Sequence, residues 1–335
     1  MKKRGVGIGC MWYGIGNTGL PNPSGAYVEW HSDGSVNVLS GCADIGQGSD
    51  TVLAQIVGEE LGVPYDMITV ISADTFVTPD GGATSASRQT YISGNAVRLA
   101  AKEAKRNVVS EAAQALTVRE AEISFADGYV CVNGHKTELL VKNVIATCRS
   151  KGILTLGHGW FNPDTTRLDP ETGQGRPFGT YAFATQVVEI EVDTGTGKID
   201  VTRVVAAHDV GKAINPRQVE GQIEGGGLMG MSFGVLEEIH VQNGMIKNAN
   251  FDSYLIPTAL DAPEIETIIV EEHEPSGPFG AKGVGEPALI PTAAAIANAV
   301  YDAIGVRIYS LPITPEKVLA ALAEKGRQPG KHDEC

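Results

Sequence analysis

Several features that would place a chain in a special class are missing from this 335-residue sequence. It contains no uninterrupted run of about 18 apolar residues, so it does not predict a membrane span. Positively charged residues are also few: the sequence has 26 lysine and arginine residues against 40 aspartate and glutamate residues, which gives a formal net charge of −14. Nucleic acid and anionic membranes repel such a chain, so neither is expected as a partner.

Cysteine is scarce, and the pattern contains neither a Cys-x-x-Cys pair nor a spacing suited to zinc or iron–sulfur ligation. We interpret the cysteines as free thiols; they are Cys10, Cys42, Cys131, Cys148 and Cys335. The N-terminus has a basic tip but lacks the apolar core and cleavage site of a signal peptide, so we expect a cytoplasmic protein.

Glycine, in contrast, is abundant. The 41 glycines make up about 12% of the chain, against the usual ~7%, while the apolar and charged fractions of 42% and 20% are ordinary for a globular protein. The glycines cluster at residues 5–19, 41–48, 221–234 and 280–285. These clusters predict loops in which the backbone comes very close to another group.

The first half of the sequence predicts the order strand, strand, loop, helix, strand. Residues 26–39 alternate between apolar and polar around Asp33-Gly34, which is a strong hairpin signal. Residues 49–61 have helical periodicity, and residues 68–72 form a short β-rich run.

A related order recurs later, with a hairpin over 185–192 and 198–207, a glycine-rich loop and a helix over 217–233. Asp44-Ile45-Gly46 and Asp209-Val210-Gly211 each end a strand and open a loop. We therefore predict an α+β fold of two similar mixed strand and helix lobes, 1–156 and 181–335, joined by an irregular segment at 157–180. Further helices are predicted at 93–116, 292–304 and 315–325, with a small hairpin within 123–140 that turns at Asp127-Gly128 or Asn133-Gly134.

Two loops have the residue types that bind anions. Gly46-Gln47-Gly48 lies between a strand and a helix, where backbone amides and a helix N-terminus attract negative charge. It lacks the lysine of a P-loop, so a plain tight turn is the alternative. Residues 82–89 bring hydroxyls and an amide together before a helix, which suits phosphate or pterin atoms, and an ordinary capping loop is the alternative.

The loop from Gly280 to Pro287 contains the candidate catalytic residue. Glu286 stands between Gly285 and Pro287 in an otherwise apolar, glycine-rich segment, so its backbone fixes its position. If the loop is buried, this carboxylate is suited to act as a general base. The alternative is a solvent-exposed glutamate in a turn.

Five motifs in this order carry a family resemblance. They are the Asp-Gly hairpin, Gly46-Gln47-Gly48, the Thr/Ser-rich loop that ends in Ser93-Gly94-Asn95-Ala96-Val97, Gln218-Val219-Glu220-Gly221, and Lys282-Gly283-Val284-Gly285-Glu286-Pro287. Over roughly residues 4 to 325 the chain resembles the molybdopterin-binding subunit of the xanthine oxidase family of molybdenum hydroxylases, and most closely the C-terminal part of that subunit.

The resemblance implies a role for particular residues. Glu286 matches the general base of that family. The positions that match the cofactor-binding motifs are Ile45, Gly46, Gln47, Gly48, Ala86, Ser87, Arg88, Gln89, Gln218, Lys282 and Gly285. The positions expected around the substrate are Tyr13, Asn17 and Thr18, of which Tyr13 would stack on an aromatic ring unless it is only core packing.

The resemblance also implies cofactors and partners. The expected cofactor is molybdopterin, as its cytosine dinucleotide, which holds molybdenum through its dithiolene; no protein side chain is expected as a metal ligand. The molybdenum would carry a terminal sulfido or selenido ligand. Family large subunits have several hundred further residues, so we expect a separately encoded part that is inactive alone and needs a second molybdopterin chain, an FAD chain and a chain with [2Fe–2S] clusters.

The implied reaction is hydroxylation of a ring carbon of an N-heteroaromatic substrate with water. Nicotinate to 6-hydroxynicotinate, with NADP as electron acceptor, is favoured. Arg88 is better explained by contact with the cofactor than by contact with a substrate carboxylate. We therefore expect the residue that binds the substrate carboxylate on the second molybdopterin chain. The alternatives are purine (xanthine), aldehyde, carbon monoxide or aromatic thioester substrates and, from another class, a non-catalytic structural subunit.

Overall fold

A computed structural model describes residues 1–327 of the chain. Cys335 and the end of the second predicted lobe therefore lie outside the described residues. The chain forms two halves, each with a four-stranded sheet covered on one face by helices. The fold is mixed α and β, as predicted.

In the first half a hairpin is extended by a strand on each side. The elements are β2 (Ser24–Trp30), β3 (Val36–Ser40), α1 (Ser49–Leu61), β4 (Ile68–Ser72), α2 (Gly94–Leu116), α3 (Val141–Ser150) and β8 (Leu156–Phe161). The sheet order is β4-β3-β2-β8, in which β2 and β3 are antiparallel and β3 and β4 are parallel. The parallel pair requires a crossover, and α1 provides it.

The second half repeats this arrangement. Its elements are β9 (Tyr181–Asp193), β10 (Ile199–Asp209), α4 (Pro216–Val235), β13 (Glu264–Val270), α5 (Ile290–Ile304) and α6 (Pro315–Arg327). Strands β9 and β10 form the antiparallel hairpin, α4 crosses over, and β13 lies parallel to β10. The shared order of strand, strand, helix, strand, helix confirms the prediction of two similar lobes.

The fourth strand of each sheet comes from a different place in the chain. In the first half the fourth strand, β8, follows α3. The second sheet is completed by β1 (Lys2–Gly14), which pairs with β9 from Lys2↔Asp193 to Gly14↔Tyr181. Residues 2–14 thus lie in the second sheet, although the predicted boundary assigns them to lobe 1–156. Strand β8 likewise extends to residue 161, so the irregular segment begins later than predicted.

Small residues let each of these strands lie directly on a helix. A Cβ added at Gly7 of β1 would lie 2.0 Å from the carbonyl oxygen of Ala295 in α5. At Gly159 of β8 it would lie 2.0 Å from the carbonyl oxygen of Ala96 in α2. The glycine excess is therefore partly a packing device that both halves use.

The predicted small hairpin is a three-stranded sheet, of β5 (Ile123–Ala126), β6 (Tyr129–Val132) and β7 (His135–Leu140). Both candidate turns are used, because Asp127-Gly128 and Asn133-Gly134 all have positive φ. A two-stranded ribbon, β11 (Val241–Gln242) and β12 (Met245–Ile246), lies between α4 and β13.

Each half has its own hydrophobic core, and a smaller cluster that includes Met11 and Tyr91 joins the two halves. Trp30, Ile56 and Leu61 belong to the core of the first half, and Val188 and Ile296 belong to the core of the second. The helical stretch 286–304, which includes α5, is long and apolar enough to cross a membrane, but half of it is buried, and α5 packs on β1, β9 and α4. We interpret it as a core helix. The four described cysteines are free thiols, of which only Cys10 is exposed.

Candidate functional site

A cavity of about 390 Å³ lies between the two halves. The first turns of α1 and α4 line it, together with residues 84–90 and 282–286. The predicted site residues in its wall are Ile45, Gln47, Ser87, Arg88, Gln89, Gln218, Lys282, Gly285 and Glu286. Gly46, Gly48 and Ala86 lie in the same loops. The fold thus brings four separate sequence motifs to one cavity.

Asp44 shapes the Gly46-Gln47-Gly48 loop. Its Oδ1 accepts hydrogen bonds from the amides of Gly46 (2.9 Å) and Gly48 (3.4 Å), and its Oδ2 accepts one from Asp50 (3.2 Å). Partial burial opposes ionisation, but these backbone donors outweigh it and lower the pKa of Asp44. The sequence predicted Asp44 as the end of a strand, but β3 ends four residues earlier, at Ser40, and Asp44 orders the loop that follows.

The Gln47 side chain folds back on this loop. Its Oε1 accepts from the Ile45 amide at 2.7 Å, and its Nε2 donates to the Ala43 carbonyl at 2.9 Å and to Ser49 Oγ at 3.0 Å. The side-chain amide therefore holds the loop open in front of α1, while Gly46 and Gly48 adopt left-handed φ values of 107° and 80°.

Gln218 lies opposite this loop, in the first turn of α4. The helix begins with Asn215 as N-cap, whose side chain accepts from the Gln218 amide at 3.2 Å, and with Pro216 at the first position. Gln218 Oε1 is buried and has no hydrogen-bond partner within the described part of the chain. A buried acceptor without a partner in a cavity wall fits a site for a polar ligand.

The loop before α2 has a strained backbone. Ala86 and Ser87 are consecutive non-glycine residues with φ of 53° and 51°, and a π-helical turn, Gln89–Ser93, follows them. A Cβ at Gly283 would lie 1.8 Å from the Ser87 carbonyl oxygen, so the second glycine loop lies directly on this one. Strain of this kind and π turns concentrate at functional sites.

Arg88 is buried beneath that loop. Its guanidinium donates to the carbonyl oxygens of Gly81 (2.5 Å), Ala83 (3.1 Å), Asn22 (3.0 Å) and Pro23 (2.7 Å). Burial lowers the pKa of Arg88. The side chain thus ties two loops together and is already committed to carbonyl acceptors.

Gln89 joins the same loop to the end of β3. Its Nε2 donates to Thr84 Oγ1 at 2.6 Å, and its Oε1 accepts from the Ser93 hydroxyl at 3.0 Å and from the buried Cys42 thiol. Thr84 Oγ1 also accepts from the Ala43 amide at 3.0 Å. Thr84 belongs to the predicted 82–89 segment, whereas no motif singled out Cys42.

Glu286 faces the cavity at the start of a 3₁₀ turn, Glu286–Ala288, and its side chain is exposed. Oε2 accepts from the Tyr13 hydroxyl at 2.5 Å and from the Ser87 hydroxyl at 2.9 Å, and Oε1 accepts from the Ala86 amide at 3.2 Å. Burial and then the hydrogen bond to Glu286 raise the pKa of Tyr13. Tyr13 therefore belongs to the site, although its observed partner is the carboxylate.

A buried polar group lies behind this turn. Gln186 in β9 donates to the Ala288 carbonyl oxygen at 2.8 Å, and its Oε1 accepts from Thr292 Oγ1 at 2.6 Å. The Nε2 atom of His208, in β10, lies 3.0 Å from Nε2 of Gln186. These residues hold the turn that carries Glu286. Sequence reasoning missed them, because single polar residues in apolar strands give no local signal.

Lys282 forms a buried ion pair rather than an open contact. Its Nζ lies 2.5 Å from Asp209 Oδ2, and both side chains are less than a tenth exposed. Asp209 Oδ1 also accepts from the Gly211 amide at 3.0 Å, just as Asp44 Oδ1 accepts from Gly46. The similarity predicted between Asp44-Ile45-Gly46 and Asp209-Val210-Gly211 is thus a shared hydrogen bond from the glycine amide to the aspartate.

Asn17 and Thr18 lie apart from the cavity wall. The Asn17 amide donates to Asn22 Oδ1 at 3.2 Å, and Asn22 Nδ2 donates back to the Asn17 carbonyl at 3.0 Å. Thr18 is exposed. Their place around a substrate stays a prediction.

The fold and this cavity define a cofactor-binding domain, and comparison with known proteins identifies its family. Residues 1–263 match the molybdopterin cofactor-binding domain. The chain belongs to that family, as it occurs in the xanthine oxidase group of oxidoreductases, which confirms the resemblance of the motifs.

Relatives show the same relationship over nearly the whole chain. The chain is 36% identical to the putative xanthine dehydrogenase molybdenum-binding subunit XdhA of Escherichia coli K12, covering 94% of this chain and 42% of that protein. It is 33% identical to the nicotine 6-hydroxylase large subunit of Paenarthrobacter nicotinovorans, covering 88% of this chain and 36% of that protein. The chain thus spans less than half the length of these relatives.

Solved structures agree. Quinoline 2-oxidoreductase from Pseudomonas putida 86 superposes with a TM-score of 0.86 at 29% identity, covering 96% of this chain and 42% of that one. The aldehyde oxidoreductase from Desulfovibrio desulfuricans superposes with a TM-score of 0.80 at 32% identity, covering 96% of this chain and 32% of that one.

Proposed function

We propose that this chain supplies the general base and part of the molybdopterin site of a molybdenum hydroxylase, with Glu286 as the base. The observation that carries the proposal is the position of Glu286. Its carboxylate stands in the cavity wall and is held by Tyr13, Ser87 and Ala86 at 2.5–3.2 Å. An oriented carboxylate at the mouth of a cofactor cavity is suited to take a proton from water-derived oxygen.

The cavity residues fit a molybdopterin. Gln218 offers a buried acceptor without a partner, and the positive end of the α4 helix dipole, which faces the cavity, favours the phosphates of a cytosine dinucleotide. Gln47, Ser87 and the backbone beside Gly285 would contact the pterin. When bound, the cofactor supplies molybdenum, with a sulfido or selenido ligand, as the centre that transfers oxygen and accepts electrons.

The favoured substrate is an N-heteroaromatic, nicotinate to 6-hydroxynicotinate, and the chain would correspond to the medium molybdopterin subunit of a nicotinate dehydrogenase. Relatives named nicotine 6-hydroxylase and quinoline 2-oxidoreductase support a nitrogen ring. The cations in the described cavity wall are all engaged: Lys282 pairs with Asp209, Lys212 pairs with Glu271 at 2.9 Å, and Arg88 binds carbonyls. We therefore place the carboxylate anchor on a partner chain.

Xanthine is the second candidate, because XdhA at 36% identity is named as a xanthine dehydrogenase subunit. A purine carries no carboxylate, so it needs no cation in the pocket. The assignment of the chain to the hydroxylase class is the same for both substrates.

The proposed partners are a second molybdopterin chain, an FAD chain and an iron–sulfur chain with [2Fe–2S] clusters, with NADP as final acceptor. A buried acceptor such as Gln218 Oε1 calls for a covering ligand or partner. The cytoplasmic location stays a prediction.

The test is a tagged chain purified with its partners without oxygen, followed by nicotinate-dependent NADP reduction. Glu286→Gln should lower kcat by about 10²- to 10⁴-fold, because the amide cannot accept the proton, with molybdenum content unchanged. Glu272→Gln, an exposed glutamate, is the matched control and should keep full activity.

The outcomes separate the proposals. Turnover of xanthine but not nicotinate would keep the base and replace the substrate. Full activity of Glu286→Gln would overturn the assignment of the base, and a complex that contains no molybdenum would favour the structural subunit.

A further inference from the structure

We propose that Tyr13 is a positioning residue that, together with Ser87, fixes Oε2 of Glu286 and leaves Oε1 as the atom that takes the proton. This inference rests on the proposed function, in which Glu286 is the base. It differs from the sequence expectation for Tyr13, which was stacking on the substrate.

The two oxygens of Glu286 have unequal surroundings. Oε2 accepts two short hydrogen bonds, from the hydroxyls of Tyr13 (2.5 Å) and Ser87 (2.9 Å). Oε1 accepts one longer hydrogen bond, from the Ala86 amide at 3.2 Å. Because each carboxylate oxygen has about two acceptor positions, Oε2 is saturated and Oε1 keeps one free.

Both donors are held rigidly. Tyr13 lies near the end of β1, paired with Ala182 of β9, between the buried residues Met11 and Ile15. Ser87 has a fixed left-handed backbone, and its Oγ also accepts from the Glu286 amide at 3.0 Å. A carboxylate held by two fixed donors keeps one orientation, which is the condition for an effective base.

The ring and the hydroxyl of Tyr13 have separable roles. A stacking residue needs only the aromatic ring, so Tyr13→Phe would be almost neutral. A positioning residue needs the hydroxyl, so the same variant frees Oε2 and lets the carboxylate rotate. Tyr13→Phe therefore discriminates between the two roles with a change of one atom.

The first measurement needs no cofactor. In the full chain labelled with ¹³Cζ-tyrosine, the Tyr13 resonance is identified by its loss in Tyr13→Phe. Burial and Glu286 both raise the pKa of Tyr13, so in Glu286→Gln the phenol should ionise at lower pH than in the wild type. A Tyr13 titration that Glu286→Gln leaves unchanged would overturn the pairing.

The second measurement uses the purified complex. We expect Tyr13→Phe to lower kcat about tenfold or more, with KM within about threefold, because the hydroxyl acts on the base rather than on the substrate. Tyr254→Phe is the matched control: the Tyr254 hydroxyl also donates to a carboxylate, that of Glu237, and neither residue lines the cavity. It should keep kcat.

The results distinguish this inference from the function on which it rests. An unchanged kcat in Tyr13→Phe, or a loss expressed mainly in KM, would overturn the positioning role while Glu286 stays the base. A complex without molybdenum or turnover would overturn the proposed function, and the tyrosine titration would then still test the pairing.

Discussion

Gln218 of α4 lies directly against Gly48 at the start of α1. A Cβ at Gly48 would lie 2.7 Å from Gln218 Nε2. The two residues come from corresponding helices of the two halves, so the cavity is built where the repeated lobes present equivalent helix N-termini to each other. Asp44 already binds the first amides of α1, so the preference for an anionic group comes from the α4 end of the cavity.

Gly48→Ala should disturb this contact. The residue has φ of 80°, and the methyl group would displace the Gln218 amide, so we expect a loss of about 1–2 kcal/mol in the free energy of unfolding, from the left-handed backbone, and reduced molybdenum content in the complex. Gly128→Ala is the control, because Gly128 has φ of 76° and nothing within 4 Å of an added Cβ. Equal molybdenum content in the two variants would contradict the role of this contact.

The buried pair Lys282–Asp209 makes a second prediction. Lys282→Met leaves the Asp209 carboxylate buried without its partner, so the free energy of unfolding should fall by roughly 3–5 kcal/mol. Denaturant titration measures it. Lys2→Met, which breaks the exposed pair with Glu191, is the control and should have a much smaller effect. Similar losses would show that the pair is not buried in solution.

Thr292 supports the Glu286 turn through Gln186. Thr292→Val removes the hydroxyl that donates to Gln186 Oε1 at 2.6 Å and leaves that buried acceptor unpaired. We expect a loss of about 1–3 kcal/mol in the free energy of unfolding and a lower kcat, because Gln186 also holds the Ala288 carbonyl. Thr185→Val, which changes an exposed threonine of β9 next to Gln186, is the control. An unaffected kcat would mean that the turn holds without Gln186.

Local sequence patterns predicted the elements that depend on local chemistry. Helix α1 has the predicted bounds, Ser49–Leu61, because its apolar residues repeat with helical spacing and Gly62 ends it in the left-handed conformation. The β2–β3 and β9–β10 hairpins follow from their turns. Strand β1 was not predicted, because glycine at alternate positions is a weak signal for a strand. These glycines are explained only by the close packing of β1 on α5.

The candidate site was predictable only as motifs. The order of the glycine loops indicated which segments meet, and the cavity brings them together. The bond between Tyr13 and Glu286, 273 positions apart, could not be predicted, because it depends on the exchange of β1 into the second sheet. Gln186, His208 and Thr292 carried no signal, because each is a single polar residue whose hydrogen-bond partners lie far away along the chain.

His208 makes a pH-dependent prediction. The Gln186 amide is oriented by the Ala288 carbonyl and by Thr292, so its Nε2 donates to His208 Nε2, which must then be unprotonated. Burial lowers the pKa of His208 to about 4, from an ordinary value of 6.5. Between these values the unfolded chain binds a proton that the folded chain does not.

The contribution of neutral His208 to the free energy of unfolding is therefore complete above pH 6.5 and is lost as the pH falls towards about 4. Its total is roughly 3 kcal/mol, at about 1.4 kcal/mol per pH unit. We therefore expect the free energy of unfolding of His208→Gln to fall less steeply between pH 6.5 and 4.5 than that of the wild type. His135→Gln, an exposed histidine, should retain the wild-type slope. Equal slopes for His208→Gln and the wild type would show that His208 is not held neutral in the folded chain.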